Sequence, residues 1–404
     1  MRGRSEGRGA AHDAAGTRPP AAALWPTSAS VTVALLSWAA SALYLLHWGR
    51  HWELDLRVYH AAGRALFAGR APYDLSFTPA RLPFTYPPFG LLVTSVAGFG
   101  SMGVVDVSFW VVNALAAVCT VYAALRMCRL PAGGRSWAAG AALAGLGVLL
   151  LEPARSNVDF GQVNTILFAL VIADVAFVSP PWRGTLVGVA AAVKLTPAVF
   201  VLYFLVRREW RAATTAGASA LGASVIGLVV MPSASLQYWR HDALDPGRTG
   251  PLGYASNQSW SGMVHRAPFP HDWLQPALWA ALALVTLGVG AVAAYRSSAR
   301  GRPLDALMAV ALTGVVVGPV SWTHHWSWVV IVPVAALFAP SPDPVVRRSV
   351  MALLVVAVAE PYWWSTTGWV HDVSGNLLVW TGAWVLGVMA LRGHGRVLPS
   401  AASH

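Results

Sequence analysis

Long apolar runs constrain this chain more than any other feature. Runs near 30–48, 104–125, 136–151, 162–179, 212–231, 273–295, 303–320, 324–339, 345–363 and 374–391 are each predominantly apolar. A bilayer is crossed by about 20 consecutive apolar residues in a helix, so the pattern predicts an all-α polytopic membrane protein. Two further runs are ambiguous. Residues 88–100 are short enough for a partial helix. Residues 184–206 carry Lys194 and Pro197 and read as a broken hairpin of two half-helices. Non-helical backbone at that depth is tolerated only where it lines a cavity or is buried in protein. The total is about 10–12 transmembrane helices, in one membrane domain over residues 30–392. Residues 1–29, rich in Arg, Gly, Ala and Pro, and residues 393–404 read as cytoplasmic tails, the first disordered.

Composition agrees. The chain is 56% hydrophobic and only 11% charged, too little charge to cover a soluble domain of 404 residues. Many of its 20 tryptophans, Trp279 and Trp322 among them, lie near the ends of apolar runs, as interfacial anchors do. The net charge of +11 invites a nucleic-acid reading, but the arginines sit in short clusters between apolar runs, such as Arg207/Arg208/Arg211 and Arg296/Arg300/Arg302. That is the positive-inside pattern, and no nucleic-acid partner is expected. It places both termini in the cytoplasm. It puts on the opposite side the stretches 53–88, 152–164, 233–272, 321–325 and 360–376. The two cysteines form neither a disulfide framework nor a metal motif.

The polar groups hardest to explain all fall on that outer side. Asp55 follows the first apolar run, and the residues after it place Leu56, Tyr59, His60, Gly63, Leu66 and Phe67 within one helical face. This predicts a helix lying in the membrane interface with apolar groups down. Asp55 then sits either as its N-cap or as a carboxylate at headgroup level, and both roles are compatible. Between Glu152 and Asn164, seven polar or charged residues occur in thirteen, Arg155, Gln162 and Asn164 among them. Such amides either glue helices together or line a cavity. Lys194 is the single lysine beside 27 arginines. Buried in an apolar run, it must either find an anion such as phosphate or snorkel to water. His324 and His325 stand at the mouth of a run, where they suit phosphate; adjacent spacing gives poor metal geometry on a helix. The loop segment around Asn257 and Trp260 offers amides, hydroxyls and an aromatic plane of the kind a sugar needs. No Walker, GxGxxG, HExxH or GxSxG motif occurs.

These pieces in this order resemble glycosyltransferase family 87 of the GT-C superfamily. These are actinobacterial polyprenol-phosphate-mannose-dependent alpha-(1-2)-mannosyltransferases. The resemblance rests on Asp55 and Tyr59, Gly69 and Tyr73, Tyr86-Pro87-Pro88, Gly161-Gln162-Val163-Asn164 followed by Lys194-Leu195-Thr196-Pro197, Asn257 with Ser259, and Ser321-Trp322-Thr323-His324-His325. It implies a GT-C fold in the plasma membrane, with an extracytoplasmic site taking a lipid-linked sugar, polyprenyl-phosphate mannose. The acceptor would be a glycolipid or cell-envelope glycan. Asp55 matches the position of the catalytic base. Lys194, His324, His325 and Arg155 would then hold the donor phosphate. Tyr59, Gln162, Asn164, Asn257 and Trp260 would position sugars. The Asp-x-Asp of other GT-C families is reduced to Glu53-Leu54-Asp55, which argues against an obligatory metal, so no cofactor is expected. The rival reading is a transporter or lipid flippase, which would place its ionisable groups near the midplane of an internal repeat. Here they gather on one side.

Overall fold

The computed structural model describes residues 26–47, 53–271, 273–339, 343–364 and 372–392. Most of the two expected tails lies outside them; the boundary of the first moves slightly, because helix α1 (Thr27–His47) already begins before residue 30. There follow α2 (Leu54–Phe67), a two-stranded antiparallel ribbon of β1 (Ser76–Phe77) and β2 (Leu82–Pro83), α3 (Pro88–Thr94), α4 (Met102–Met127), α5 (Gly134–Leu150), α6 (Glu152–Asp159) and α7 (Asn164–Phe177). Next come α8 (Thr185–Val193), α9 (Val201–Val206), α10 (Trp210–Val230), α11 (Pro232–Arg240), α12 (Trp260–Arg266) and α13 (Leu274–Ala299). The chain closes with α14 (Pro303–Val317), α15 (Val332–Phe338), α16 (Pro344–Ala359) and α17 (Leu377–Leu391).

The protein is an all-α polytopic membrane protein. Among the described residues α1, α4, α10 and α13 are long and apolar enough to cross a membrane, and α5 with α6, bent by 81°, makes a fifth span if taken as one. Six shorter apolar helical segments account for most of the other runs. They are short because polar residues and prolines interrupt them. The 184–206 run breaks as expected: α8 stops at Val193, and Pro197 opens a 3-10 turn, Thr196–Phe200, before α9. The 88–100 run is likewise a short helix followed by the 3-10 turn Ser95–Phe99.

Large apolar side chains point outward on the long helices, among them Val104, Val107 and Leu115 of α4 and Leu284 and Val285 of α13. In water such a surface would aggregate; in lipid it is the solvated face. The core sits around α14, from which Leu304, Leu307, Val310, Leu312 and Val316 are all buried. Helix α13 packs against α14, and α1–α5, α4–α7 and α8–α10 form further packed pairs, with α17 against α13, α14 and α16. A charge in an apolar run is explained by its partners. Asp174 of α7 accepts bonds from the Gly184 and Val187 amides, at 2.7 and 3.0 Å. It thereby caps the start of α8 from a distance and satisfies donors that every helix leaves open.

One expectation changes. Helix α2 is amphipathic, but its apolar face (Leu56, Val58, Tyr59, Ala62 and Ala65) is buried against α3, α4 and the 95–99 turn. Arg57 and Phe67 remain exposed. The apolar face of the helix is therefore turned into the protein and not down toward lipid.

Candidate active site

The site is built on the turn between α6 and α7. Gly161 takes a left-handed conformation, φ +67°, and a side chain there would meet Leu56 Cβ at 2.4 Å. With no side chain in the way, the first turn of α2 docks onto this turn, where the Asp55 and Leu56 amides both donate to the Phe160 carbonyl, at 3.1 and 3.3 Å. That contact aims Asp55. The helix begins at Leu54 with Glu53 in the cap position, and Glu53 pairs with Arg57 at 3.7 Å. Asp55 is therefore not the N-cap, and its carboxyl is left for other work. Burial raises its pKa to about 6, while a hydrogen bond from Gln162 and the nearby Lys194 ammonium pull in the opposite direction.

Lys194 is the first residue after α8 and has extended backbone, φ −148° and ψ 134°. This turns its side chain inward, so it does not snorkel. Its three protons are all used: Nζ lies 2.8 Å from Asn164 Oδ1, 3.4 Å from Gln162 Oε1 and 3.3 Å from His325 Nε2. An ammonium only donates, so His325 Nε2 accepts and the ring carries its proton on Nδ1. Nζ also lies 4.9 Å from the Tyr86 ring centre. Behind it runs a ladder of amides. Asn164 Nδ2 donates to Asn157 Oδ1 and to the His324 carbonyl, both at 3.1 Å, and Asn157 Nδ2 donates to Asn113 Oδ1 at 3.1 Å. The ladder ties α7, α6 and α4 together, so the cation stands on a rigid base. His324 is different: it is buried, and neither ring nitrogen has a protein partner. A buried polar group left unpaired costs about 1–3 kcal/mol, which is recovered when a ligand supplies the partner.

Asp55, Tyr59, Gln162, Asn164, Lys194, His324 and His325 all line one cavity of about 1030 Å³. Far apart in sequence, they share this one cavity. Three other expected residues stand outside it. Arg155 pairs with Glu360 and lines a smaller cavity of about 180 Å³ with Tyr44 and Asp159. Asn257 is fully buried and holds the loop together: its Nδ2 donates to the Leu252 and Pro319 carbonyls, and its Oδ1 accepts from Ser259 Oγ and the Ser321 amide. Trp260 donates from Nε1 to Thr286 Oγ1 of α13 at 2.8 Å. The hydrogen-bonding composition that suggests sugar binding thus serves packing at these two positions.

Sequence reasoning missed Tyr86 as a site residue, although Tyr86-Pro87-Pro88 stood out as a motif. It also missed Asn113, whose only signal is a lone amide inside an apolar run. Trp279 and Trp322, read as interfacial anchors, line the cavity instead. Trp48 and Trp52 lie outside the described residues. Among the described residues no three His, Cys, Asp or Glu side chains converge as a metal site would require.

A family profile described as glycosyltransferase family 87 matches residues 84–321, from the Tyr86 loop to the Ser321 turn. The polyprenol-phosphate-mannose-dependent alpha-(1-2)-phosphatidylinositol mannoside mannosyltransferase of Mycobacterium tuberculosis is 33% identical over 370 residues, covering 85% of this chain and 84% of that protein. The protein of the same description from Mycolicibacterium smegmatis is 35% identical, covering 77% and 75%. A pentamannoside mannosyltransferase from Mycolicibacterium smegmatis is also 35% identical, covering 74% and 71%. No solved structure matches significantly. The motifs that meet in the cavity and the relatives that share most of the chain agree, and the chain belongs to glycosyltransferase family 87.

Proposed function

We propose that this enzyme moves mannose from polyprenyl-phosphate mannose to a phosphatidylinositol mannoside or a similar glycolipid, forming an alpha-(1-2) linkage by inverting transfer. One observation carries the reading: a single cavity holds a carboxyl, Asp55, beside a buried ammonium, Lys194, and an unpartnered histidine, His324. The Asp55 carboxylate takes the proton of the acceptor hydroxyl, whose oxygen attacks the anomeric carbon. The bond from that carbon to the phosphate oxygen breaks on the opposite face, and its electron pair leaves with the lipid phosphate. A positioned base contributes typically about 10²–10⁴-fold. Lys194 and N–H donors of His324 and His325 stabilise the charge that develops on the phosphate. A phosphate leaving group needs little acid help, so one carboxylate suffices, unlike the pair used in glycoside hydrolysis.

No divalent metal enters this scheme. The carboxylate's neighbours are an amide and an ammonium, which offer a dication one anionic ligand and a repelling charge. The arginine clusters support an orientation with both termini cytoplasmic and the cavity opening on the extracytoplasmic side of the plasma membrane. The names of the relatives support the donor and the acceptor class, and family membership weighs against the transporter reading.

The test is to incubate membranes containing the protein with radiolabelled polyprenyl-phosphate mannose and phosphatidylinositol mannosides, then separate the labelled lipids. Wild type yields a mannosylated glycolipid, and Asp55→Asn, expressed at the same level, yields none. Full transfer by that variant would remove Asp55 from the mechanism.

A further inference from the structure

Gln162 was expected to touch a sugar, but its amide oxygen is already occupied. Its Oε1 lies 2.7 Å from the Tyr86 hydroxyl, which donates to it, and 3.4 Å from Lys194 Nζ. Asn164 Nδ2 is a further donor at 3.5 Å, so the two lone pairs of the amide oxygen are ringed by protein donors. The Tyr59 hydroxyl lies 2.7 Å from that of Tyr86, and 3.3 Å from Gln162 Oε1. Since the Tyr86 proton goes to Gln162, the Tyr59 proton goes to Tyr86. A directed chain results, from Tyr59 to Tyr86 to Gln162. With only donors around its oxygen, the amide is held from flipping, which leaves its NH₂ group as the neighbour of the Asp55 carboxyl in the same cavity. The Tyr86 ring is itself held, because the Tyr73 hydroxyl donates to the Tyr86 carbonyl at 2.8 Å. The Gln162 backbone is fixed by its amide bond to the Asn157 carbonyl at 2.8 Å.

We infer that Gln162 is a positioning residue, clamped by Tyr86 and Lys194 so that its amide donor aims the Asp55 carboxylate at the acceptor hydroxyl, with Tyr86 setting the amide's orientation. This rests on the proposed role of Asp55 as base. The clamp explains why two tyrosines, otherwise unaccounted for, are buried next to the only lysine. It also keeps Asp55 ionised, since a hydrogen bond to the charged form favours that form. The ionisable groups facing Asp55 are Lys194 from the end of α8, Tyr86 from the loop before α3, and Tyr59 from its own helix. His325 stands behind Lys194.

The test is the pH dependence of mannose transfer in membranes carrying wild type, Gln162→Leu and Tyr86→Phe. Gln162→Leu removes the donor, and the acid limb of kcat moves up by roughly one to two pH units, the equivalent of one lost hydrogen bond to a charged group. Its plateau falls on the order of tenfold, because the carboxylate is no longer aimed. Tyr86→Phe keeps the ring and frees the amide to rotate, so it moves the limb in the same direction by less. KM for the donor stays within about twofold in both. A rise in donor KM with an unmoved acid limb would make Gln162 a sugar ligand and overturn the inference. If Gln162→Leu fails to fold, Tyr86→Phe carries the same test. Activity in Asp55→Asn would instead refute the base assignment, so the two failures are distinguishable.

Discussion

Replacing Gly161 by alanine tests the claim that the α6–α7 turn positions Asp55. The perturbation has two parts. The residue sits at φ +67°, where a side chain costs roughly 1–2 kcal/mol. The new methyl would also lie 2.4 Å from Leu56 Cβ, and forcing atoms into a packed site costs about 1–3 kcal/mol more. If α2 holds its place, the variant loses about 2–5 kcal/mol in sum. If α2 instead backs away by the ~1 Å needed to restore contact, Asp55 moves with it, and a displacement of that size costs on the order of 100-fold in rate. Gly69 supplies the control. It has φ +70° and no atom within 4 Å of an added side chain, so Gly69→Ala carries the backbone strain without the clash. The assay is kcat for mannose transfer together with the thermal midpoint in detergent. Gly161→Ala should lose activity, stability or both to a much greater extent than Gly69→Ala, which should lose a few degrees and keep its kcat. Equal effects for the two glycines would show that the Gly161–Leu56 contact does not position the site.

Because burial raises the Asp55 pKa to about 6, and a base must be deprotonated to work, kcat should fall as pH drops through that region rather than near 4, where an ordinary carboxylate titrates. A pH–rate profile of wild type checks this, and a flat profile down to pH 5 would contradict it. Asn257→Ala leaves the Ser321 amide without its acceptor and frees the loop, so it should lower the thermal midpoint, at a cost of about 1–3 kcal/mol. KM for both substrates, measured on the folded fraction, should change little; a large rise in KM with normal stability would return Asn257 to the sugar site.

The fold class was legible because membrane helices are written in composition: a run of apolar residues can satisfy its backbone in lipid only as a helix. The motifs of the loop after α1, the GQVN turn, the lysine and the histidine pair were legible for a related reason. A charge or amide in an apolar run is costly, so each marked a place needing a partner. What those marks lacked was direction. Lys194 read equally well as a snorkelling side chain until the extended backbone after α8 turned it inward. Asn257 and Trp260 have the chemistry of sugar ligands, yet their bonds run to the Ser321 turn and to α13.

The sequence by itself determined that this protein lies in the membrane as helices, which residues had to find polar partners, and, through their order, the family to which it belongs. Tertiary structure alone decided which partners they found. It placed Asp55, Gln162, Lys194 and His324 around one cavity, paired Arg155 with Glu360 outside it, and clamped the Gln162 amide with Tyr86. The reason is that hydrogen bonds act over about 3 Å, while the residues that share them here are separated by up to 205 positions. Only the packing of the helices brings them within reach.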